Sequence, residues 1–318
     1  MGKAHSPRHG SMQFWPRKRA KKLTPRLRSW RYATVNALAG FLTYKAGMLH
    51  VLAVDNRKNS MTKGLEISIP VTVLEAPNMK VYSVRFYKAT INGLTITKEF
   101  VLSLDKLLSR KVSKVKKLQS VDDVKQHVQH VQEKGENIPL IGVVMYSDFS
   151  KFWKKTPELL EFKVLPENLN NVLEKPFITV KDVVQPGMFV DVHAVSKGKG
   201  FQGPVKRFGI SLKQHKSEKG RRAPGSLGPW NAQGKIMWRV AKAGQHGFHL
   251  RTERNKLVLM VGDDANAVTP ASGFHKYGVI RNNYVLLAGS VPGPAKRQVV
   301  LTLTPKKQEP LTISRIVK

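Results

Sequence analysis

Four histidines, His193, His215, His246 and His249, lie in or beside the most basic part of this 318-residue chain. Imidazoles held beside a polyanion can cleave RNA by general acid–base chemistry. That chemistry needs a positioned pair and carboxylates to orient it. Between Asp191 and Glu253 there is a single acid, Glu218, among thirteen Lys or Arg. Histidines in such a setting read as hydrogen-bond donors to phosphate rather than as catalysts.

The segment KGKGFQGPVKRFG at 197–209 sets Gly198 and Gly203 at the spacing of a phosphate-binding Walker loop. Pro204 and Val205 stand where that loop requires Lys and Ser or Thr, so the nucleotide contacts cannot form. Gly198, Gly200 and Gly203 also satisfy a dinucleotide fingerprint, but Pro204 follows and no crossover helix or ribose-binding acid appears. His127 and His130 are three residues apart without an evident third ligand. They read as solvent-exposed side chains rather than a metal pair. The chain has no cysteine, which excludes disulfides, thiolate catalysis and Cys-ligated zinc modules. No cofactor, metal or active site is expected.

Binding is what remains. Lys plus Arg number 55 against 21 Asp plus Glu, a formal charge of +34. A compact protein with this excess repels itself unless phosphates neutralise it. The 197–255 segment combines the charge with glycines and prolines and lacks dense apolar content. A segment of that length has the makings of a loop ordered by an outside polyanion. Glycines let backbone approach phosphate closely, and the flanking cations reach to either side. The partner indicated is folded RNA. The runner-up readings are an RNA-processing enzyme using the histidines and a free-standing RNA chaperone.

The remaining sequence must position these groups. With 41% hydrophobic residues a core exists. Residues 1–33 form a basic arm in which Phe14 and Trp15 stand beside Arg17, Lys18 and Arg19. Those aromatics pack onto RNA, onto the protein body, or both. Residues 34–90 read as strands, with a turn at Lys45-Ala46-Gly47. Val121, Val124, Val128 and Val131 recur at helical spacing behind Asp122 and Asp123. Residues 138–146 read as a buried strand, and Thr156-Pro157 reads as a helix start. Segment 91–176 is therefore an α+β insertion. Strands resume at 177–196, with a turn at Gln185-Pro186-Gly187, and again over 256–318. The architecture expected is mainly β, with 177–196 and 256–318 completing the framework that 34–90 begins. The basic 197–255 extension leaves it. Trp238, in KIMWRVA, is expected in the core, and Trp230, after Gly228-Pro229, at an RNA-contacting tip. No stretch approaches the ~20 apolar residues of a membrane span, and the N-terminal basic residues precede no apolar signal region.

Three stretches carry a resemblance: PRHGSMQFWPRKRA at 7–20, VDVHAVSKGKGFQGPVKRFG at 190–209, and RRAPGSLGPWNAQGKIMWRVAKAGQHGFHLRT at 221–252. In order and spacing, over nearly the full length, the chain resembles the large-subunit ribosomal protein L-three family in its archaeal and eukaryotic form. The resemblance implies a translation-protein-type β-barrel with an α+β insert, a long basic loop extension and a basic N-terminal arm. It implies a structural constituent of the cytoplasmic large ribosomal subunit, without its own active site. It further implies binding to the 3′ part of the large-subunit (23S-type) rRNA, a role early in subunit assembly, contacts with neighbouring ribosomal proteins, and an extension reaching towards the peptidyl-transferase region. The RNA-binding residues expected are Arg8, His9, Phe14, Trp15, Arg17, Lys18, Arg19, His193, Lys197, Lys199, Gly200, Lys206, Arg207, Arg221, Arg222, Trp230, Arg239, Lys242, His246 and Arg251.

Overall fold

A computed structural model describes residues 11–27, 38–91, 93–112, 118–133, 140–150, 152–217, 219–228, 231 and 234–318. The elements in chain order begin with strands β1 (Gly40–Val54), β2 (Glu66–Ala76), β3 (Met79–Thr90) and β4 (Gly93–Val101), then helix α1 (Val121–Glu133). Strands β5 (Leu140–Ser147) and β6 (Leu159–Val164) precede short helices α2 (Leu169–Leu173) and α3 (Val180–Val183). Next come β7 (Met188–Val195), β8 (Gly198–Gln202), α4 (Pro204–Phe208), β9 (Gly244–Gly247) and β10 (Leu250–Gly262). The chain closes with α5 (Ala265–Val268), β11 (Asn283–Ala288), β12 (Gln298–Lys307) and β13 (Thr312–Val317). The fold is mainly β. It divides into two compact units: Met1–Lys22 with Val195–Arg251, and Leu23–Ala194 with Thr252–Lys318.

The second, larger unit is built on six strands whose pairings close on themselves: β1–β2–β11–β10–β7–β12 and back to β1. Strand β1 is long enough for one edge to serve two partners. Its first residues pair with β12, Gly40 opposite Thr302, and its last with β13, His50 opposite Val317. The expected turn at Lys45-Ala46-Gly47 is instead a bulge within this one strand. Glycine suits the bulge because a Cβ on Gly47 would collide with the Phe274 ring.

A second, four-stranded sheet runs in the order β4-β3-β5-β6. Strand β3, expected with the first sheet, pairs here with β4 and β5. Helix α1 begins as expected: Ser120 and Asp123 cap each other's backbone N–H groups at 2.9 and 3.1 Å. Val124 buries against the sheet. Residues 159–164 are strand, not the helix expected after Thr156-Pro157. Leu160, Phe162 and Val164 alternate into the core, and this period of two prevails over the local Thr-Pro signal. The segment 177–196 likewise holds one strand rather than two. A capping box of Thr179 and Asp182 starts α3, and Gly187, at φ +83°, leads into β7.

Apolar burial holds this unit together. Phe41, Leu74, Val190, Val285 and Leu301 join Val84, Phe86, Val143 and Phe162 of the four-stranded sheet in one cluster. Leu49, Val51, Val73, Leu259, Phe274 and Leu286 belong to another. Each fully buried side chain of this size contributes ~1.5–3 kcal/mol. His127, expected in solvent, is half-buried, with its ring edge against Phe86 at 4.8 Å and Phe100 beside it at 5.2 Å. Burial first, then the charge of Lys98, lowers its pKa. His130 is exposed.

Candidate nucleic-acid interface

The first unit brings the N-terminal arm and the base of the basic extension together. Pairing of β8 with β9 sets Phe201 opposite Gln245 and Gln202 opposite Gly244. Backbone bonds from Phe248 to Lys197 (3.0 Å) and from Ser196 to His249 (2.9 Å) close the ribbon's end. Helix α4 starts with Pro204 in its first turn, where no N–H is missed, and stops at Gly209 in the left-handed region, φ +72°. Its buried residue Phe208 is the anchor of the unit. The extension is therefore not a loop that lacks structure of its own: its two ends fold on each other.

The arm docks on that anchor. A single helical turn, Met12–Phe14, is capped by the Ser11 hydroxyl and delivers Trp15 to within 5.3 Å of the Phe208 ring. Trp238 stands edge-on to Trp15 at 5.5 Å. The Arg17 guanidinium lies 4.1 Å over Phe208 and donates to the Arg207 carbonyl. Arg207 in turn donates to the carbonyls of Gln245 (3.0 Å) and Lys242 (2.8 Å). Further along, Ala20 N–H donates to the Phe248 carbonyl at 2.8 Å. His249 is buried, and its Nδ1 lies 2.8 Å from the Lys18 carbonyl. A carbonyl only accepts, so Nδ1 carries the proton. Arg251 covers Phe14 at 4.8 Å. Trp238 is 65% exposed, which corrects the expectation that it is core: Trp15 covers only one of its edges.

These contacts sort the predicted residues. Arg17, Arg207 and Arg251 are half-buried and hold the unit together through rings and carbonyls. Lys18, Arg19, Lys197, Lys199, Lys206, Arg221, Arg222, Arg239 and Lys242 are exposed. Arg221 and Lys213 exchange backbone and side-chain bonds across the extension, 3.1 and 3.2 Å. Gly200, at φ +68°, makes the irregular step in β8 that presents Lys199 and Phe201. Phe201 is 76% exposed, an aromatic that the sequence reading passed over, as it did Phe208. A ring two residues from Lys199 in a glycine-rich run was the available signal. Arg8, His9 and Trp230 lie outside the described residues.

The electrostatics point one way. Glu218 is the unit's one acid, and none stands among its described residues. His246 has its pKa lowered by burial first and then by Lys199, Arg17, His249 and Lys206, a cationic surround that disfavours its charged form. Burial also lowers that of His249. His193 belongs to the other unit, on β7. Its two ring nitrogens meet the hydroxyls of Thr302 (3.0 Å) and Thr252 (2.9 Å), and burial lowers its pKa. Among the described residues the ring partners of His193 are hydroxyls and that of His249 is a carbonyl, not a carboxylate. Among the described residues no group of three or more His, Asp or Glu could hold a metal ion, and no helix is long and apolar enough to cross a membrane.

A mainly β body with a separate aromatic-pinned basic unit is the build of a ribonucleoprotein constituent. The sequence model of the family described as ribosomal protein L3 matches residues 1–311, and the chain belongs to that family. Relatives named large ribosomal subunit protein uL3 agree. That of Archaeoglobus fulgidus is 44% identical over 309 residues, covering 93% of this chain and 91% of its own. That of Methanothermobacter thermautotrophicus is 42% identical over 314 residues, covering 95% and 92%. That of Methanothrix harundinacea is 40% identical over 309 residues, covering 94% and 91%. The family is one of structural ribosomal proteins, not enzymes.

Proposed function

We propose that the chain binds large-subunit rRNA through its first unit and promotes early subunit assembly. The observation that carries this is a folded unit with 20 Lys or Arg and one acid, none of whose described residues is acidic. Counterions released from RNA phosphates supply the free energy of such a contact. Phosphate contacts position rather than read sequence, so specificity comes from RNA shape.

In this reading the closed six-strand ring is a β-barrel of the translation-protein type, the four-stranded sheet with α1 is its insert, and 197–255 extends towards the peptidyl-transferase region. The family resemblance supports the direction of the extension and the 3′ part of the rRNA as its partner. Exposed Phe201 and Trp238 add stacking surfaces to the cations, and Trp230 fixes the tip. Neighbouring large-subunit proteins contact the rest of the surface.

Sedimentation of a lysate, followed by a high-salt wash of the large subunits, tests the reading. Stoichiometric retention on the subunit is expected. Release into light fractions would show a loosely bound factor instead.

A further inference from the structure

The connection between β1 and β2 spans residues 55–65, far longer than the usual hairpin loop. It is also unusually ordered for an exposed connection. The Asp55 side chain is fully buried. Its carboxylate accepts from Arg57 Nε (2.8 Å), the Arg57 terminal nitrogen (2.7 Å) and Arg57 N–H (3.1 Å). It also accepts from the hydroxyls of Ser60 and Thr62, both at 2.6 Å. Backbone bonds Ser60 to Arg57, Lys63 to Ser60 and Leu65 to Thr62 make three tight turns, and Gly64 to Asp55 closes the loop. The Arg57 bond first, then the two hydroxyls, hold the Asp55 pKa well below the usual carboxylate range. Asn56 ties the loop to Thr312 on β13 at 3.2 Å.

The consequence is a loop whose own acid is turned inward and whose cations are turned outward. Arg57 is fixed by its bidentate pair with Asp55 and still half-exposed. Lys58 and Lys63 are exposed and carry no ion pair among the described residues. Between them stands Met61, 101% exposed, touching nothing that covers it. Arg315, opposite Leu52 on β13, adds a fourth exposed cation near this end of the sheet, where Glu66, the first residue of β2, and Glu309, three residues before Thr312, are exposed acids. Solubility alone does not require order in such a loop, because fixing backbone and side chains costs entropy. Order imposed in advance lowers the cost of binding something later.

We propose that the 55–65 loop is a second rRNA-docking point, on the larger unit and separate from the basic extension. Arg57, Lys58 and Lys63 take phosphodiester oxygens of the RNA backbone, and Met61 packs against a ribose or base face between them. Rigid outward cations without outward carboxylates in the loop complement phosphate. An acidic protein neighbour is the competing occupant, and it is one outcome of the test. The proposal rests on the reading that the chain works within the large subunit.

The absence of native cysteine makes a clean experiment available. Met61→Cys creates the one thiol of the chain, and Ser211→Cys, in the extension, creates one in a second preparation. Each is loaded with a tethered iron–EDTA probe, assembled into large subunits, and triggered to release hydroxyl radicals. The expected result is a confined cluster of rRNA backbone cleavages from position 61, distinct from the cluster made from position 211. Cleavage from 211 with none in RNA from 61, or cleavage from 61 confined to a protein neighbour, overturns the proposal and leaves the broader reading standing. No RNA cleavage from either overturns both. As a second readout, Lys58→Ala with Lys63→Ala should weaken binding of the full chain to deproteinised large-subunit rRNA about five- to tenfold at low salt. It should also reduce the salt slope by about two. Unchanged affinity and slope would contradict the proposal.

Discussion

The two units solve the problem of a charged chain in opposite ways. The larger has 35 Lys or Arg against 20 acids in 239 residues, and the smaller 20 against one in 79. The ion pairs of the described residues, such as Arg85 with Glu99 and Glu161, or Lys111 and Lys154 with Glu158, lie in the larger unit. There acids pair with part of the positive charge, and apolar burial carries the fold. The smaller unit has no such option. Its order comes from rings stacked on Phe208 and from arginines bonded to backbone carbonyls, contacts that leave every positive charge in place. A unit that stays this cationic when folded fits the proposal that an anion outside itself completes it.

The comparison breaks if core truncation does not separate the units. Phe162→Ala, in the larger unit, should cost ~3–5 kcal/mol of unfolding free energy. Phe201→Ala, in the smaller, should stay within ~0.5 kcal/mol. Chemical denaturation measures both. Next in size is charge removal. Lys199→Ala with Lys206→Ala should weaken rRNA binding by about tenfold or more and lower the salt slope by about two. The matched pair Lys125→Ala and Lys181→Ala, whose partners are Glu174 and Asp263, should change affinity by less than about threefold. Filter binding over a salt series checks this.

Smaller effects sharpen how the smaller unit is held. Trp15→Ala should cost about 1–3 kcal/mol of arm docking and speed hydrogen exchange at Ala20, with the larger unit's melting unchanged. The His249 contact should fade in acid. Burial lowers its folded pKa below the ordinary 6.5, so the unfolded state takes up the proton first. The contribution is present above that value and lost as pH falls through the folded one. The protection factor of the Ala20 amide, that is, its exchange relative to the intrinsic rate at each pH, should fall from pH 7 to 5 in the wild type, and less in His249→Gln.

Much of the larger unit was legible because its strands carry local signals. The sequence alternates over 66–76, and 140–147 and 298–307 are short runs rich in Val, Ile and Leu. Errors arose where a local signal has two structural meanings. Lys45-Ala46-Gly47 fits a turn and a bulge equally, and Thr156-Pro157 fits a helix start although the following alternation is strand. The charge of the smaller unit was legible from composition, but its scaffold was not. Arg17 meets the carbonyl of Arg207 across 190 residues of sequence, and no local pattern announces that contact. For the same reason Phe208 went unmarked, and Trp238 looked like core because Ile236, Met237 and Val240 surround it in sequence.

The central claim is that the smaller unit is completed by RNA. Hydrogen exchange of the chain alone and within assembled large subunits, resolved over residues 209–243, tests it most directly. Slow exchange in the subunit and fast exchange in the free chain is the result predicted, with 66–76 equally protected in both. Equal exchange of 209–243 in the two states would contradict it.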